Sequence, residues 1–153
     1  MPRHADPIDD ARSRLADYLQ RHGLKQTRQR EAILEAFYAA PGHLTSEDLY
    51  EIVRTENPEI GAATVYRTLK LLVDAGIANA STFREGVTVY EPEHHHHDHL
   101  VCLGCQEIIE FECDVIEKRQ LEIAQAKGYR LTRHRHHLFG YCGNCQAAGL
   151  DSR

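Results

Sequence analysis

Apolar positions in the first half of the chain recur with the 3.6-residue period of amphipathic helices. Each periodic stretch ends at a glycine or proline signal, where a helix stops. The pattern predicts four helices: residues 6–22 before Gly23, Thr27 to about Ala39, Thr45 to Asn57-Pro58, and 62–75 before Gly76.

The third and fourth predicted helices carry the clearest local signals. Thr45 and Asp48 have the spacing of a capping box. The apolar face of the third helix is expected at Leu49, Ile52 and Val53. A buried stripe is predicted along the fourth helix at Val65, Leu69, Leu72 and Val73. The side chains left on the outside of that helix are Thr64, Tyr66, Arg67 and Lys70.

A hairpin is predicted after the helices, because Ile77–Arg84 and Val87–Glu91 alternate on either side of Glu85-Gly86. Helices followed by a hairpin are typical of a winged helix-turn-helix, whose recognition helix enters the major groove of DNA. The alternative is a helical domain whose exposed arginines are simply solvated.

The second half of the chain mixes strands with a helix. Strands are predicted at His97–Leu103 and Glu107–Phe111, joined by a cysteine-containing turn. A helix capped by Asp114 and stopped by Gly128 follows, and then a third strand over Tyr129–Phe139. The change in pattern near Glu91–His95 predicts an α+β chain of two domains, residues 1–92 and 93–153.

Composition limits where the protein works. The 153 residues are 42% hydrophobic and 27% charged, and no apolar run approaches the roughly 18 residues of a membrane span. The N-terminus lacks the apolar stretch of a secretory signal, so a cytoplasmic protein without a membrane partner is expected. The net charge of −5 excludes a generally basic protein, but residues 18–30 and 60–73 contain bases and no acids.

Four of the five cysteines form two Cys-x-x-Cys pairs, Cys102/Cys105 and Cys142/Cys145. In a reducing compartment such pairs favour a closed, tetrahedral structural Zn(II) site over disulfides. The alternative is thioredoxin-type redox chemistry, but the second pair lacks the strand before it and the helix after it that this chemistry requires. Cys113 has no partner at ligand spacing and is expected to be a half-buried thiol.

The histidine-rich run from His94 has two faces if it is extended. His97 and His99 then share one face, while His96 and Asp98 share the other, so two metal sites can use one segment. His94 and His95 add either metal affinity or nothing.

Distant residues can complete both sites, although spacing alone does not join them. Glu110, Glu91 and His43 can complete the first site, whose imidazole and carboxylate ligands suit Fe(II), Mn(II), Co(II) or Zn(II). Glu117 and His134 can complete the second. For each distant residue taken alone, a surface carboxylate or a satisfied histidine is the favoured interpretation.

Seven motifs over roughly residues 12–145 resemble those of the ferric uptake regulator family. They are Gly23-Leu-Lys-Gln-Thr-Arg-Gln-Arg30, Ser46-Glu-Asp-Leu-Tyr50, Ala63-Thr-Val-Tyr-Arg67, Asp74-Ala-Gly-Ile77, His96-His-Asp-His-Leu-Val-Cys-Leu-Gly-Cys105, Glu107-Ile-Ile-Glu-Phe111 and Cys142-Gly-Asn-Cys145. The resemblance implies a homodimeric repressor, with higher oligomers open, made of a winged helix-turn-helix DNA-binding domain and a small α/β dimerisation domain.

The resemblance also implies which residues bind. The four cysteines match the structural zinc site, and the sensory site matches His43, Glu91, His97, His99 and Glu110. An additional site matches His96, Asp98, Glu117 and His134. The DNA-binding positions are Tyr66 and Arg67, which read bases beside Thr64, and Lys25, which reaches the minor groove of an AT-rich palindromic operator.

The regulatory metal implied is Fe(II), with Mn(II) or Zn(II) also able to bind. Glu110 favours iron sensing over peroxide sensing, since peroxide sensors of the family typically have aspartate there. Peroxide sensing and zinc or manganese sensing remain alternatives. A metal-dependent enzyme is a further alternative, but the sequence offers no substrate pocket or nucleophile elbow, so no enzymatic activity is expected.

Overall fold

A computed structural model of the chain describes residues 6–84, 86–93 and 96–152. The chain divides into two compact units, Met1–His94 and His95–Arg153. The first is mainly helical and the second contains a small sheet, which confirms the predicted α+β class. No helix in the described ranges has both the length and the apolar character needed to cross a bilayer.

The N-terminal unit contains the four predicted helices. They are α1 (Pro7–Arg21), α2 (Arg28–Ala39), α3 (Ser46–Glu56) and α4 (Ala62–Asp74). Thr27 and Thr45 are the N-caps of α2 and α3, as predicted, and the capping box between Thr45 and Asp48 is complete. At the end of α4, Gly76 has a φ of +71°, a conformation that residues with a side chain rarely adopt.

The helices are followed by an antiparallel hairpin of β1 (Ala78–Arg84) and β2 (Val87–Pro92). This matches the predicted wing, although Glu85 of the predicted turn lies outside the described residues. Leu44 extends the hairpin by bridging Tyr90, with backbone N–H···O distances of 2.7 and 2.9 Å. The bridge fixes the segment before α3 against the end of β2.

A single hydrophobic core fills the N-terminal unit, and its fully buried side chains include Leu15, Ile33, Phe37 and Leu72. The prediction for Ile52 is wrong, because its side chain is 39% exposed. The core-facing side of α3 is formed by Leu49 and Val53 with Tyr50 beside them. Ile52 projects from the other edge of that stripe.

The C-terminal unit is a three-stranded sheet with helices. Its elements are β3 (Asp98–Cys102), β4 (Ile108–Phe111), α5 (Asp114–Ala126), β5 (His137–Gly140), α6 (Gly143–Ala147) and a 3₁₀ turn at Leu150–Ser152. The strand order is β4-β3-β5, with β3 antiparallel to β4 and parallel to β5.

Two local predictions for this unit are wrong. The strand predicted over Tyr129–Phe139 begins only at His137, because the ladder with β3 starts where His99 meets His137. In the described ranges, residues 129–136 form no strand. Asp114 is the first residue of α5 rather than its cap, since Cys113 takes the extended cap conformation. A carboxylate at that position still favours the helix through the helix dipole.

Candidate metal centres and DNA-binding helix

The four paired cysteines converge in the C-terminal unit. Their Sγ atoms all lie within 4.8 Å of one another, with Cys102 3.6 Å from Cys145 and Cys105 3.8 Å from Cys142. A disulfide would bring two sulfurs to about 2 Å. Ligands about 2.3 Å from a tetrahedral zinc ion are instead separated by about 3.8 Å. The arrangement therefore fits Zn(II), and Cys113 lies apart as a half-buried thiol.

Parallel pairing of β3 and β5 explains the convergence. Cys102 ends β3 opposite Gly140, and Cys142 lies two residues after the end of β5. The expectation that the second Cys-x-x-Cys pair has no strand before it and no helix after it is wrong, because β5 precedes the pair and α6 begins within it. The convergence of all four sulfurs is what favours a metal site over redox chemistry. Gly104 makes the approach possible, because a Cβ there would lie 2.6 Å from the Sγ of Cys145.

Backbone N–H groups of Cys142 and Cys105 lower the pKa of Cys102 to about 6, which favours the thiolate there. Burial and the neighbouring thiols raise the pKa of Cys145, so further thiolates in the cluster require a bound cation to offset their charge.

A buried histidine–carboxylate pair occupies the N-terminal unit. The Nε2 of His43 lies 2.8 Å from Oε2 of Glu91, and both side chains are almost fully buried. The bridge between Leu44 and Tyr90 places these neighbours side by side. Buried histidine–carboxylate pairs are common in metal sites.

A second group of ligands lies in the C-terminal unit, where His97, His99 and Glu110 each place a ligand atom within 4.8 Å of the others. The rings of His97 and His99 are 4.9 Å apart, as the predicted alternation requires. Glu110 faces His99 across the β3–β4 ladder. Each unit thus presents part of the ligand set that the resemblance implies.

The other face of the same segment carries a complete cluster. One ligand atom from each of four side chains lies within 4.8 Å of the rest: His96, Asp98, Glu117 and His134. The Nε2 atoms of His96 and His134 are 2.8 Å apart, and both lie within 3.3 Å of Oε1 of Glu117. Asp98 is 2% exposed, yet its Oδ1 accepts no hydrogen bond. Four converging donors with a buried, unsatisfied carboxylate oxygen fit a divalent cation.

Helix α4 presents the predicted base-reading side chains. Tyr66 is 47% exposed, and Arg67 donates a 3.3 Å hydrogen bond to the hydroxyl of Thr64. The ammonium of Lys70 lies 5.9 Å from the ring centre of Tyr66. Lys25 is exposed between α1 and α2. A face with an aromatic edge and two cations suits a major groove.

Two histidines near these clusters were not predicted. His136 places Nδ1 3.7 Å from Oδ2 of Asp98, and the His137 ring lies 5.4 Å from the His99 ring. The signal available in the sequence was the second histidine-rich stretch, His134-Arg-His-His137. His94 and His95 lie outside the described residues.

Comparisons with known proteins agree with this geometry. The model of the "Ferric uptake regulator family" matches residues 21–139. The ferric uptake regulation protein of Escherichia coli strain K12 is 46% identical over 132 residues, covering 84% of this chain and 89% of that protein.

Two solved structures extend the likeness. The Vibrio cholerae ferric uptake regulator is 47% identical with a TM-score of 0.69, covering 81% of this chain and 96% of that one; it is described as showing rearranged DNA-binding domains. The Helicobacter pylori ferric uptake regulator is 30% identical with a TM-score of 0.81, covering 91% and 93%; it is described as having three functional metal-binding sites. The chain therefore belongs to the ferric uptake regulator family of metal-responsive, DNA-binding transcriptional regulators.

Proposed function

We propose that the protein is an Fe(II)-responsive repressor of iron-uptake genes that acts as a homodimer on an AT-rich palindromic operator. The observation that carries this proposal is the pair of ligand groups in two different units, His43 with Glu91 and His97 with His99 and Glu110. Imidazole and carboxylate ligands together suit Fe(II) and Mn(II) better than soft metals. Several similar proteins also carry the name ferric uptake regulator.

In this proposal the two ligand groups share one regulatory ion, while the four cysteines hold a structural Zn(II). The shared ion supplies positive charge and coordination positions for both groups. His43 and Glu91 then fix the DNA-binding unit, and His97, His99 and Glu110 fix the other unit. To convert a mostly DNA-incompetent population into a mostly DNA-competent one, the ion must bind the competent state more favourably by about 5.5 kcal/mol. Operator DNA must raise metal affinity by the same factor that metal raises DNA affinity.

The exposed surface of the C-terminal unit supports a dimer. Leu100, Ile109 and Leu138 lie in one row across the sheet, and each is at least 41% exposed. In addition, α5 has no buried residue. Apolar surface of this kind is typical of an interface that a second copy covers.

The test is operator binding by the zinc-replete protein, titrated without oxygen with Fe(II), Mn(II) or Zn(II) at fixed salt, because salt alone changes DNA affinity by decades. Fe(II) should tighten binding, and His97→Ala should abolish the response while the dimer persists. His22→Ala is the matched control, since His22 stacks on Tyr18 and belongs to none of the three ligand clusters. A normal metal response in His97→Ala would exclude this sensory site.

The metal titration and one peroxide experiment distinguish the alternatives. A response to Zn(II) or Mn(II) alone would reassign the regulatory metal. A peroxide sensor would instead gain an oxygen atom at His43 or His97 when the iron-loaded protein meets peroxide, which mass spectrometry detects. Glu110 argues against that outcome, because the resemblance associates aspartate at this position with peroxide sensing.

A further inference from the structure

His136 lies beside the carboxylate of Asp98 and contacts the oxygen that does not contact His96. Oδ1 of Asp98 is 3.3 Å from Nε2 of His96 inside the cluster, while Oδ2 is 3.7 Å from Nδ1 of His136. The two oxygens of one buried carboxylate therefore face two different partners. His136 is not itself among the four converging ligands.

The position of His136 is fixed from two further directions. Its backbone carbonyl accepts the N–H of His99 at 3.2 Å, which holds it beside β3. Its ring packs edge-on to Phe111, 6.5 Å between centres, and Phe111 pairs with Asp98 in the β3–β4 ladder. The imidazole is thus supported by the same two strands that hold the carboxylate.

A side chain that contacts a metal ligand can control the metal affinity of the site without binding the ion itself. A ligating carboxylate that accepts a hydrogen bond on its outer oxygen keeps one orientation, and losing such a partner typically weakens metal binding 10- to 100-fold. The 3.7 Å separation in this structure is a charge contact, slightly longer than a hydrogen bond. With its proton on Nδ1, His136 needs to approach Oδ2 by only a few tenths of an ångström to donate to it, which leaves Oδ1 as the oxygen available to a cation.

We propose that His136 is a positioning residue for the His96, Asp98, Glu117 and His134 cluster, which sets its metal affinity by orienting Asp98. The inference rests on the proposed metal binding at this cluster. His136 acts on the geometry of Asp98 and contributes no ligand atom. The adjacent Arg135 side chain is exposed and offers a matched control.

The test measures Co(II) binding at this cluster alone. The parent is full-length, zinc-loaded His97→Ala protein, in which the other histidine-rich site is disabled. Co(II) affinity is measured by competition with a chelator, and the d–d spectrum reports the ligand geometry. Adding His136→Ala should weaken binding 10- to 100-fold and alter the spectrum. His136→Asn keeps an N–H donor near the position of Nδ1 and should restore most of the affinity, whereas Arg135→Ala should change nothing.

Each outcome decides a separate point. Equal Co(II) affinity in the parent and in His136→Ala overturns the positioning role while leaving the cluster as a metal site. Equal loss in His136→Ala and His136→Asn, with an unchanged thermal transition, also overturns it, because the donor would then be irrelevant. If the parent binds no more Co(II) than its His134→Ala variant does, the cluster is not a metal site. The proposed role of His136 is then overturned as well.

Discussion

The two units of the chain are stabilised in different ways. In the N-terminal unit, all four helices and the hairpin contribute buried apolar side chains to one core. In the described part of the C-terminal unit, the buried hydrophobic residues are Val101, Cys102 and Cys145, and two of these are candidate zinc ligands. Domains this small rarely fold on a weak core alone. The first unit is therefore stabilised by its own core, whereas the second needs a further source of stability, for which the proposed zinc and dimer surface are the candidates.

Removal of the zinc should have the largest effect. Cys102→Ser deletes one thiolate from the cluster, and structural zinc supplies about 10–16 kcal/mol of apparent binding free energy to a small domain. The C-terminal unit should therefore unfold, while α1–α4 keep their protection in hydrogen exchange. The exchange experiment, combined with a zinc assay, reports both units in one sample.

Cys113→Ser is the matched control, because Cys113 lies outside the cluster and is only half-buried. It should retain zinc and the native exchange pattern. If Cys102→Ser instead kept the protection of the C-terminal unit, the zinc would not be what stabilises that unit.

Truncation of the N-terminal core should have the next largest effect. Phe37→Ala removes a fully buried ring, and such changes cost about 3–5 kcal/mol of unfolding free energy. Urea unfolding followed by helical circular dichroism should show this loss, with zinc content unchanged. Tyr66→Ala is the control: it removes an exposed ring and should change the free energy of unfolding by no more than about 0.5 kcal/mol. Loss of zinc from Phe37→Ala would show that the units are not stabilised independently.

The role of a partner surface is tested by two residues with nearly equal exposure. Leu100 is 41% exposed in the C-terminal unit and Ile52 is 39% exposed in the N-terminal unit. Leu100→Ser should weaken dimerisation by about 1 kcal/mol per protomer, or about 2 kcal/mol per dimer, because only the exposed two-fifths of the leucine remains for a partner to bury. Ile52→Ser should leave the dimer intact. Sedimentation over a concentration series measures the dimer dissociation constant of both variants. An equal change in the two would show that the exposed face of the C-terminal sheet is not the dimer surface.

The same difference explains which parts of the fold could be predicted. Helix periods and caps are local, so α1–α4 follow from neighbouring residues such as Thr27 and Gly76. The register of β5 is not local, because it depends on a parallel pairing with a strand far away in sequence. Tyr129 and its neighbours alternate like a strand, yet only residues from His137 onward meet β3.

The candidate sites show the same difference between features set by neighbouring residues and features set by distant ones. Period-two alternation placed His97 beside His99, and turn spacing placed each Cys-x-x-Cys pair. Glu117 and His134 reach their cluster through a helix and an irregular segment, so spacing could not join them and the family resemblance supplied the link. His136 was missed because its contact with Asp98 comes from the same nonlocal pairing.

The smallest expected effect concerns the capping box, which is entirely local to the N-terminal unit. Thr45 accepts the N–H of Asp48 at 3.1 Å, and Asp48 accepts the N–H of Thr45 at 2.9 Å. Thr45→Ala should cost about 1 kcal/mol, since the first turn of α3 loses one of its hydrogen-bond acceptors. Thr55→Ala, a change to an exposed threonine near the other end of α3, should cost less. Urea unfolding of the N-terminal unit measures the difference between the two variants, and a larger cost for Thr55→Ala would mean that the box does not stabilise α3.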